Sequence, residues 1–243
     1  MLPETIGSVK YFQSSALAAL PGLMHAFPCR SGPAMESLDS LASRMKESFG
    51  FKSLLMAKQV HGADVLVYDG DPANVEVYRK KAFDAIISST PGIALGVRTA
   101  DCLPVLMAVP GHAVAVVHGG WKGILGEILE NTAQTLIELC RADPEAIVAA
   151  IGPHILSACY EVGPEVAEPF RERFGDAVLK PGRRERPHLD LEAAARAALQ
   201  NAGLKPENTD CVRCCTHCSP ELFHSYRRDG RPTGRQISFI VRL

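Results

Sequence analysis

Three side chains that can bind a metal, His61, Cys102 and His118, adjoin short apolar segments of this chain. Two imidazoles and one thiolate suit zinc, and three protein ligands leave a fourth position for water or substrate, as in catalytic zinc sites. Zinc in such a site lowers the pKa of a bound water to about 7. The same residues also suit a metal-free pair of cysteine nucleophile and histidine base. Both interpretations stay open from the residues alone, because their spacing forms no local motif and a lone cysteine is typical of a core.

Groups suited to binding an anion lie near these three residues in the sequence. Gly119 and Gly120 precede a predicted helix that begins at Trp121, and the free N–H groups at a helix start attract an anion. Arginine offers paired donors that match a phosphate or a carboxylate. The candidate arginines are Arg98, Arg227, Arg228 and Arg235. The alternative interpretation of Arg227, Arg228 and Arg235 is that they lie in a solvated turn between strands.

Asp101 and His154 each have two interpretations. Asp101 precedes Cys102 and is either the carboxylate that orients a metal-binding imidazole through its second nitrogen or a cap at the start of a strand. His154 follows a predicted buried strand and either contacts the substrate or is an ordinary loop histidine. We keep both residues as candidates for substrate binding.

A cysteine-rich segment forms the pattern Cys-x2-Cys-Cys-x2-Cys around His217. Such residues can bind zinc or an iron–sulfur cluster. The cysteines are too close together for two Cys-x2-Cys knuckles separated by a loop. We therefore interpret them as thiols packed beside the active site. They are Cys211, Cys214, Cys215 and Cys218.

The elements that position these residues are predicted from the period of the apolar residues. Helical spacing is found in 36–49, Trp121–Arg141, Pro164–Phe174 and Leu191–Ala202, with Asp190 as an N-cap and Gly203 as a stop. Short β-branched runs predict strands. These are Leu54–Lys58, Ala63–Tyr68, Ala85–Ser88, Ile93–Val97, Leu103–Val109, Ala113–Val117, Ala146–Ile151 and Gln236–Leu243. The irregular alternation predicts a mixed α+β fold, and without a Pro/Gly/Ser linker we expect one domain over residues 1–243.

Composition excludes several classes of protein. A chain of 243 residues with 47% hydrophobic residues can bury a sizeable core. Its net charge of −1 gives no global field that favours nucleic acid or an anionic membrane. No apolar run of about 18 residues predicts a membrane span, and no signal peptide is recognisable. We expect a cytoplasmic protein whose cysteines are free thiols.

Six sequence blocks carry a family resemblance. They are Lys-Gln-Val-His-Gly at 58–62, Thr-Ala-Asp-Cys-Leu-Pro-Val at 99–105, Val-His-Gly-Gly-Trp-Lys-Gly at 117–123, Ala-Ile-Gly-Pro-His-Ile at 150–155, Cys-Thr at 215–216, and Ser-Tyr-Arg-Arg-Asp-Gly at 225–230 with Thr-Gly-Arg at 233–235. Together they resemble the YfiH-like family, also called multicopper polyphenol oxidase, laccase-domain or peptidoglycan editing factor. The similarity runs from about residue 25 to 243 in the family's order.

The resemblance implies a fold and a set of ligands. It implies one four-layer αββα sandwich, like that of the cytotoxic-necrotizing-factor type of cysteine hydrolase, with metal ligands at His61, Cys102 and His118. It assigns a common cysteine only to Cys215, so we expect the other three of that segment to be dispensable. The family's N-terminal loop is shortened here, which leaves Arg30 as a candidate for substrate contact. Gln59, within the first block, is another.

The resemblance also implies purine nucleoside chemistry. Family members phosphorolyse adenosine, inosine, guanosine and methylthioadenosine, and deaminate adenosine. A nucleoside and phosphate are then the small-molecule partners, and one zinc ion per chain is the expected cofactor. Copper is less expected, because a multicopper oxidase needs many histidines in His-x-His pairs, whereas this chain has eight histidines and no such pair. The usual deaminase signature His-x-Glu…Pro-Cys-x-x-Cys is missing too.

Two other functions are retained as alternatives. Cys102 and His118 suit a hydrolase that removes a wrong amino acid from a peptidoglycan precursor. A zinc-stabilised binding module is disfavoured, because structural zinc is not held in an open three-ligand site. We expect a monomer or small homo-oligomer that binds neither nucleic acid nor a membrane.

Overall fold

The computed structural model describes residues 2–30, 37–182 and 186–243, so part of the shortened N-terminal loop lies outside the described residues. The strands are β1 Glu4–Ile6, β2 Val9–Phe12, β3 Leu23–Pro28, β4 Ser53–Leu55, β5 Val65–Val67, β6 Ala85–Ser88, β7 Ile93–Thr99, β8 Leu103–Val109, β9 Ala113–Gly119, β10 Val148–Ile151, β11 Leu179–Lys180, β12 His188–Leu189, β13 Thr209–Cys211 and β14 Gln236–Arg242. The helices are α1 Ser15–Ala18, α2 Leu38–Phe49, α3 Val75–Lys80, α4 Trp121–Leu125, α5 Ile128–Cys140, α6 Pro164–Phe174, α7 Leu191–Asn201 and α8 Tyr226–Asp229.

The long strands pair into two mixed sheets. Sheet one has the order β1-β2-β3-β14-β7-β4, and sheet two has the order β13-β10-β8-β9-β6-β5. Strand β14 pairs antiparallel with both β3 and β7 in the interior of sheet one. In sheet two, the antiparallel pair of β8 and β9 occupies the centre, where Pro104 lies opposite His118.

Three apolar interfaces separate four layers. Along β8 and β9 the side chains alternate with a period of two, as strands require. Val105 packs against the helices on one face, whereas Leu106 packs between the two sheets. The third interface lies on the outer face of sheet one, where Met45 of α2 packs with Phe239 of β14. The resulting order of α2, sheet one, sheet two and the helices α4 to α7 confirms the αββα sandwich and the mixed α+β fold.

The chain passes from one sheet to the other within three residues. Strand β7 belongs to sheet one and β8 to sheet two, and only residues 100–102 connect them. Asp101 has φ +95°, which makes this connection sharp. Because β14 runs antiparallel to β7, with Gln236 opposite Thr99, the residues just before β14 lie at the same end. This end of the sandwich therefore gathers groups from both sheets.

The structure departs from the predicted elements in several places. The helix expected over Trp121–Arg141 is divided into α4 and α5, because Glu127 takes a left-handed conformation with φ +68° directly after Gly126. Strands β1 to β3 were not predicted from the loosely patterned opening. By contrast, Asp190 is confirmed as an N-cap, since its side chain accepts a hydrogen bond from Ala193 N at 3.0 Å. Across the described part of the chain, every helix is too short or too polar to cross a bilayer.

Candidate active site

His61, Cys102 and His118 converge at the end of the sandwich where the sheets meet. His61 lies between β4 and β5, Cys102 in the connection to β8, and His118 near the end of β9. Their potential ligand atoms all lie within 4.8 Å of one another. Cys102 Sγ is 3.9 Å from His61 Nε2, and the two imidazole rings meet edge to face with centroids 4.7 Å apart. One metal ion fits this donor set.

A buried carboxylate, Asp84, fixes both histidines. Its Oδ1 accepts a hydrogen bond from His118 Nδ1 at 2.7 Å, which leaves the Nε2 of that ring free to bind a metal. The same carboxylate accepts hydrogen bonds from the backbone N–H groups of Val60, His61 and Gly62 at 2.8–3.0 Å. These bonds hold His61 in its left-handed conformation, φ +60°. Asp84 thus contacts the imidazole as an orienting carboxylate would, which was one of the two interpretations of Asp101.

The charges of the site favour a thiolate beside an imidazolium when no metal is bound. Burial raises the pKa of Cys102, but hydrogen bonds and charges of His118 and His61 outweigh burial and lower that pKa to about 6. Burial lowers the pKa of His118, but Asp84 and Cys102 outweigh it and raise that pKa to about 9. The pKa of Asp84 is also lowered, because its hydrogen bonds from His118 and the backbone outweigh burial.

Gly120 shows how closely the chain approaches the three donors. A Cβ atom at this position would lie 3.0 Å from His61 Cδ2, 3.6 Å from Cys102 Sγ and 3.7 Å from His118 Cε1. A side chain here would therefore press on His61 and contact the other two donors. Gly119 is a buried residue of β9, where a Cβ atom would lie 2.9 Å from Leu103 O. Gly120 thus leaves room for the donor set, whereas Gly119 lets β9 pack closely against Leu103.

A cavity of about 550 Å³ opens over the donor set. This volume is in the range of small-molecule sites. Residues from both sheets and from the segments that follow them line it. They are Gln59, His61, Arg98, Thr99, Ala100, Asp101, Cys102, His118, Trp121, Ile155, Tyr160, Leu191, Tyr226, Arg227, Arg231 and Arg235.

Four arginines make the cavity cationic. Arg98, Arg227 and Arg235 were predicted from the sequence, whereas Arg231 was missed, although it belongs to the same basic segment. Burial and the charge of Arg235 lower the pKa of Arg98. Within the described residues, neither Arg98 nor Arg235 bonds to a carboxylate. A half-buried Arg98 beside an exposed Arg235, with no carboxylate bonded to either, is suited to an anionic ligand.

The polar groups around the arginines hold the backbone in place. Gln59 accepts a hydrogen bond from Arg98 N at 2.9 Å and donates one to Arg98 O at 2.8 Å. Asp101 accepts one from Thr216 Oγ1 at 2.7 Å and one from Arg227 N at 2.6 Å. These contacts connect the cavity wall to the C-terminal segments.

Five predicted site residues are outside the cavity lining among the described residues: Gly119 and Gly120, described above, and the three that follow. Arg30 donates a hydrogen bond from its guanidinium to the carbonyl oxygen of Pro220. His154 is buried, with Nδ1 2.9 Å from Gly152 O, and burial lowers its pKa. Arg228 donates to backbone carbonyls of Thr216 and Phe223 and pairs with Asp229. The guanidinium of Arg228 therefore serves the fold of the tail.

Three aromatic residues of the lining were not predicted. Trp121, Tyr160 and Tyr226 present ring surface to the cavity. The guanidinium of Arg227 lies over the ring of Tyr160 at 5.1 Å, and burial together with the charge of Cys102 raises the pKa of Tyr160 to about 12. Tyr160 is therefore a neutral hydrogen-bonding group at neutral pH. Trp121 and Tyr226 had a sequence signal, since they lie in the Val-His-Gly-Gly-Trp-Lys-Gly and Ser-Tyr-Arg-Arg-Asp-Gly blocks, whereas Tyr160 lies in no block.

Comparisons with known proteins find similarity over most of this chain. A family model described as multi-copper polyphenol oxidoreductase laccase matches residues 30–243. The purine nucleoside phosphorylase of Deinococcus radiodurans is 40% identical over 202 residues, covering 82% of this chain and 74% of that protein. Adenosine deaminase RL5, from an unknown prokaryotic organism, is 35% identical over 220 residues, covering 86% of this chain and 83% of that protein.

A solved structure shares the fold. The crystal structure of the hypothetical protein YfiH from Bacillus licheniformis superposes with a TM-score of 0.85 at 24% sequence identity. The match covers 96% of each chain. The αββα sandwich is thus an arrangement already seen in crystals.

Proposed function

The chain belongs to the YfiH-like family, whose model is described as multi-copper polyphenol oxidoreductase laccase, and from this premise we propose that it is a zinc-dependent purine nucleoside enzyme. It would phosphorolyse adenosine, inosine, guanosine and methylthioadenosine, and deaminate adenosine. The observation that carries the proposal is the cavity itself, which has a metal donor set and unpaired arginines facing one space. Phosphorolysis needs a nucleoside and an anion side by side.

The donor set supports zinc as the metal. A thiolate with two imidazoles is a borderline-soft set that suits zinc, and three ligands leave a position for water or substrate. When bound, zinc would supply a Lewis acid and an activated water. The chain's own part is to keep His61 and His118 in fixed orientations through Asp84.

The arginines would bind and orient phosphate in phosphorolysis. Arg98 and Arg235 neutralise its charge, so that an oxygen attacks the ribose carbon as the purine leaves with the bonding electrons. The Gln59 side chain keeps Arg98 in place through hydrogen bonds to the Arg98 backbone. Trp121 and Tyr160 offer aromatic surface to the purine and exclude water from it. From the sequence, we expected the anion near the Gly119-Gly120 turn with the help of at least one of the four candidate arginines; the cavity arginines now carry this proposal.

Removal of a cavity arginine tests the anion site. In Arg98→Ala or Arg235→Ala, we expect the Michaelis constant for phosphate in inosine phosphorolysis to rise about 10- to 100-fold, because a charge-assisted hydrogen bond contributes roughly 1.5–3 kcal/mol. Adenosine deamination uses water and should change much less. The measurement is a parallel assay of both reactions.

Arg171→Ala is the matched control, because Arg171 pairs with Glu168 and Asp176 on the exposed surface of α6. Its phosphate dependence should equal that of the unaltered protein. Zinc content should stay constant in all three variants. Unchanged phosphate dependence in both Arg98→Ala and Arg235→Ala would place the anion elsewhere.

Copper oxidase activity is expected to be weak or undetectable. Among the described residues, the groups of histidine and cysteine that could hold a metal are His61–Cys102–His118 and Cys159–His217–Cys218, and neither supplies the histidines of a trinuclear copper centre. The measurement is phenol oxidation by protein of verified metal content. Binding of several coppers per chain with sustained phenol turnover would contradict this prediction.

A cysteine hydrolase is the alternative that one observation favours. The lowered pKa of Cys102 and the raised pKa of His118 describe a thiolate and imidazolium pair, as in cysteine nucleophiles. Such an enzyme would remove a wrong amino acid from a peptidoglycan precursor without a metal. The deciding experiment incubates zinc-loaded and metal-stripped protein with a nucleoside panel, with and without phosphate, and with an aminoacyl amide. Nucleoside turnover that requires the metal supports the proposal, whereas amide cleavage by stripped protein with no nucleoside turnover supports the hydrolase.

A further inference from the structure

A second group of thiols lies outside the cavity lining. Cys159 Sγ is 3.2 Å from Cys218 Sγ, although 59 residues separate them in the chain. The ligand atoms of Cys159, His217 and Cys218 all lie within 4.8 Å of one another. Cys159 ends a short 3-10 turn, Ser157–Cys159, and the other two residues lie in the turn that follows Cys215. The fold has therefore brought together two turns that are distant in the sequence, so that side chains capable of binding a metal meet.

Cys215 adds a third thiol to this group. Its thiol lies beside the other two, since Cys215 raises the pKa of Cys159 and the Cys218 thiol lowers that of Cys215. Cys215 and Cys218 have the Cys-x2-Cys spacing of a zinc knuckle. The backbone N–H groups of His217 and Cys218 approach the Cys215 sulfur, as does that of Leu156. N–H groups directed at a sulfur stabilise its thiolate, which is the form that binds a metal.

The sulfurs would bind a metal ion as thiolates, the form in which cysteine is a metal ligand. Several thiolates in contact repel one another, so without a cation they do not ionise together at neutral pH. A divalent ion removes this repulsion and releases the thiol protons.

We propose that Cys159, Cys215, His217 and Cys218 bind a second zinc ion in a closed structural site. Three sulfurs and one imidazole form the Cys3His set of structural zinc. Four protein ligands leave no position for substrate, in contrast to the three ligands of the cavity. For Cys218, this proposal replaces the sequence-based expectation that it is dispensable. For Cys211 and Cys214, which are not part of the group, that expectation stands.

The site would brace one wall of the cavity. Cys159 precedes Tyr160, which lines the cavity. Thr216, between the proposed ligands, donates its hydroxyl to Asp101 at 2.7 Å. Arg228 donates to the carbonyls of Thr216 and His217 at 2.8 and 3.1 Å. A bound ion would thus fix the two turns that carry Tyr160 and Thr216, the hydrogen-bond partner of Asp101.

Zinc analysis in a chain without the cavity site tests the proposal. In Cys102→Ala purified under reducing conditions, we expect about one zinc per chain to remain. Adding Cys159→Ser and Cys218→Ser should remove it. Adding Cys211→Ser and Cys214→Ser instead, the matched control from the same segment, should leave it. Cobalt in place of zinc should give thiolate-to-metal charge-transfer absorption in the control and not in the Cys159/Cys218 variant.

A chain that carries none of the serine substitutions supplies a second measurement, which does not depend on whether the serine variants fold. With Cys102→Ala as the starting protein, Cys159, Cys215 and Cys218 should resist alkylation until a chelator is added, as read by peptide mass spectrometry. Rapid alkylation of all three without chelator would overturn the proposal. So would zinc retained in a folded Cys159/Cys218 variant, or a chain two hydrogens lighter with no zinc, which would indicate a Cys159–Cys218 disulfide. These results do not depend on nucleoside turnover, so they are separable from the proposed function.

Discussion

Cys102→Ala is expected to lose one equivalent of zinc per chain and about 10³-fold of its purine nucleoside turnover. The thiolate is the one anionic ligand of the cavity site, and its sulfur lies 3.9 Å from His61 Nε2. Two imidazoles alone hold zinc weakly at an open position. Loss of the metal removes several kcal/mol of transition-state stabilisation, and each 1.36 kcal/mol corresponds to tenfold in rate. Elemental analysis and nucleoside kinetics measure the two effects.

Cys140→Ala is the control for this variant, because Cys140 is a free, half-buried thiol at the end of α5, remote in sequence from the site. It should keep both zinc and turnover. Unchanged zinc in Cys102→Ala would overturn the assignment of this ligand. Loss of turnover with zinc retained would instead support Cys102 as a nucleophile.

Asp84→Ala is expected to have the second largest effect, since one side chain holds both histidines. Without the carboxylate, His118 Nδ1 and the N–H groups of Val60, His61 and Gly62 lose their acceptor. Loss of such a supporting group lowers metal affinity about 10- to 100-fold. The unsatisfied donors should also lower the free energy of unfolding by roughly 3 kcal/mol. Zinc competition with a chelator and denaturant unfolding measure these changes.

Asp69→Ala is the matched control, because Asp69 also accepts several hydrogen bonds, but at the exposed surface and remote from the metal site. It should leave the affinity for zinc unchanged. Comparison of the zinc-stripped proteins then separates the loss of stability from the loss of metal. An Asp84→Ala variant with native zinc affinity would show that the histidines are oriented by other contacts.

The central strands were predictable because their own residues encode them. Strands β8 and β9 are runs of β-branched and other apolar residues that are buried on both faces, and they were expected within two residues of their observed ends. Strand β3 could not be predicted in the same way. It is defined by its pairing with β14, more than 200 residues away, where Phe239 lies opposite Ala26. The division at Gly126 had a local signal, since glycine weakens a helix interior.

The site residues also differ in whether the sequence alone reveals their role. His61, Cys102 and His118 came from the family blocks, in which each stands among characteristic neighbours. Asp84 lies outside every block, and its role follows from a contact with His118, 34 residues away. Arg228 and Arg231 look alike in the sequence, but only the fold turns the first toward backbone carbonyls and the second toward the cavity. Sequence patterns identify residues that can bind a ligand, whereas long-range contacts determine which group each of them contacts.

The interior position of β14 in sheet one sets an order of events during synthesis. Residues up to 235 leave the ribosome before Gln236–Arg242, the strand that joins β3 to β7. Sheet two, with His118 and the Cys102 turn, can pair beforehand, because all its strands come earlier in the chain. Such long-range pairing is slow. A nascent chain can therefore bring its proposed metal ligands together while sheet one still has an open gap, and Arg235 reaches Arg98 only when that gap closes.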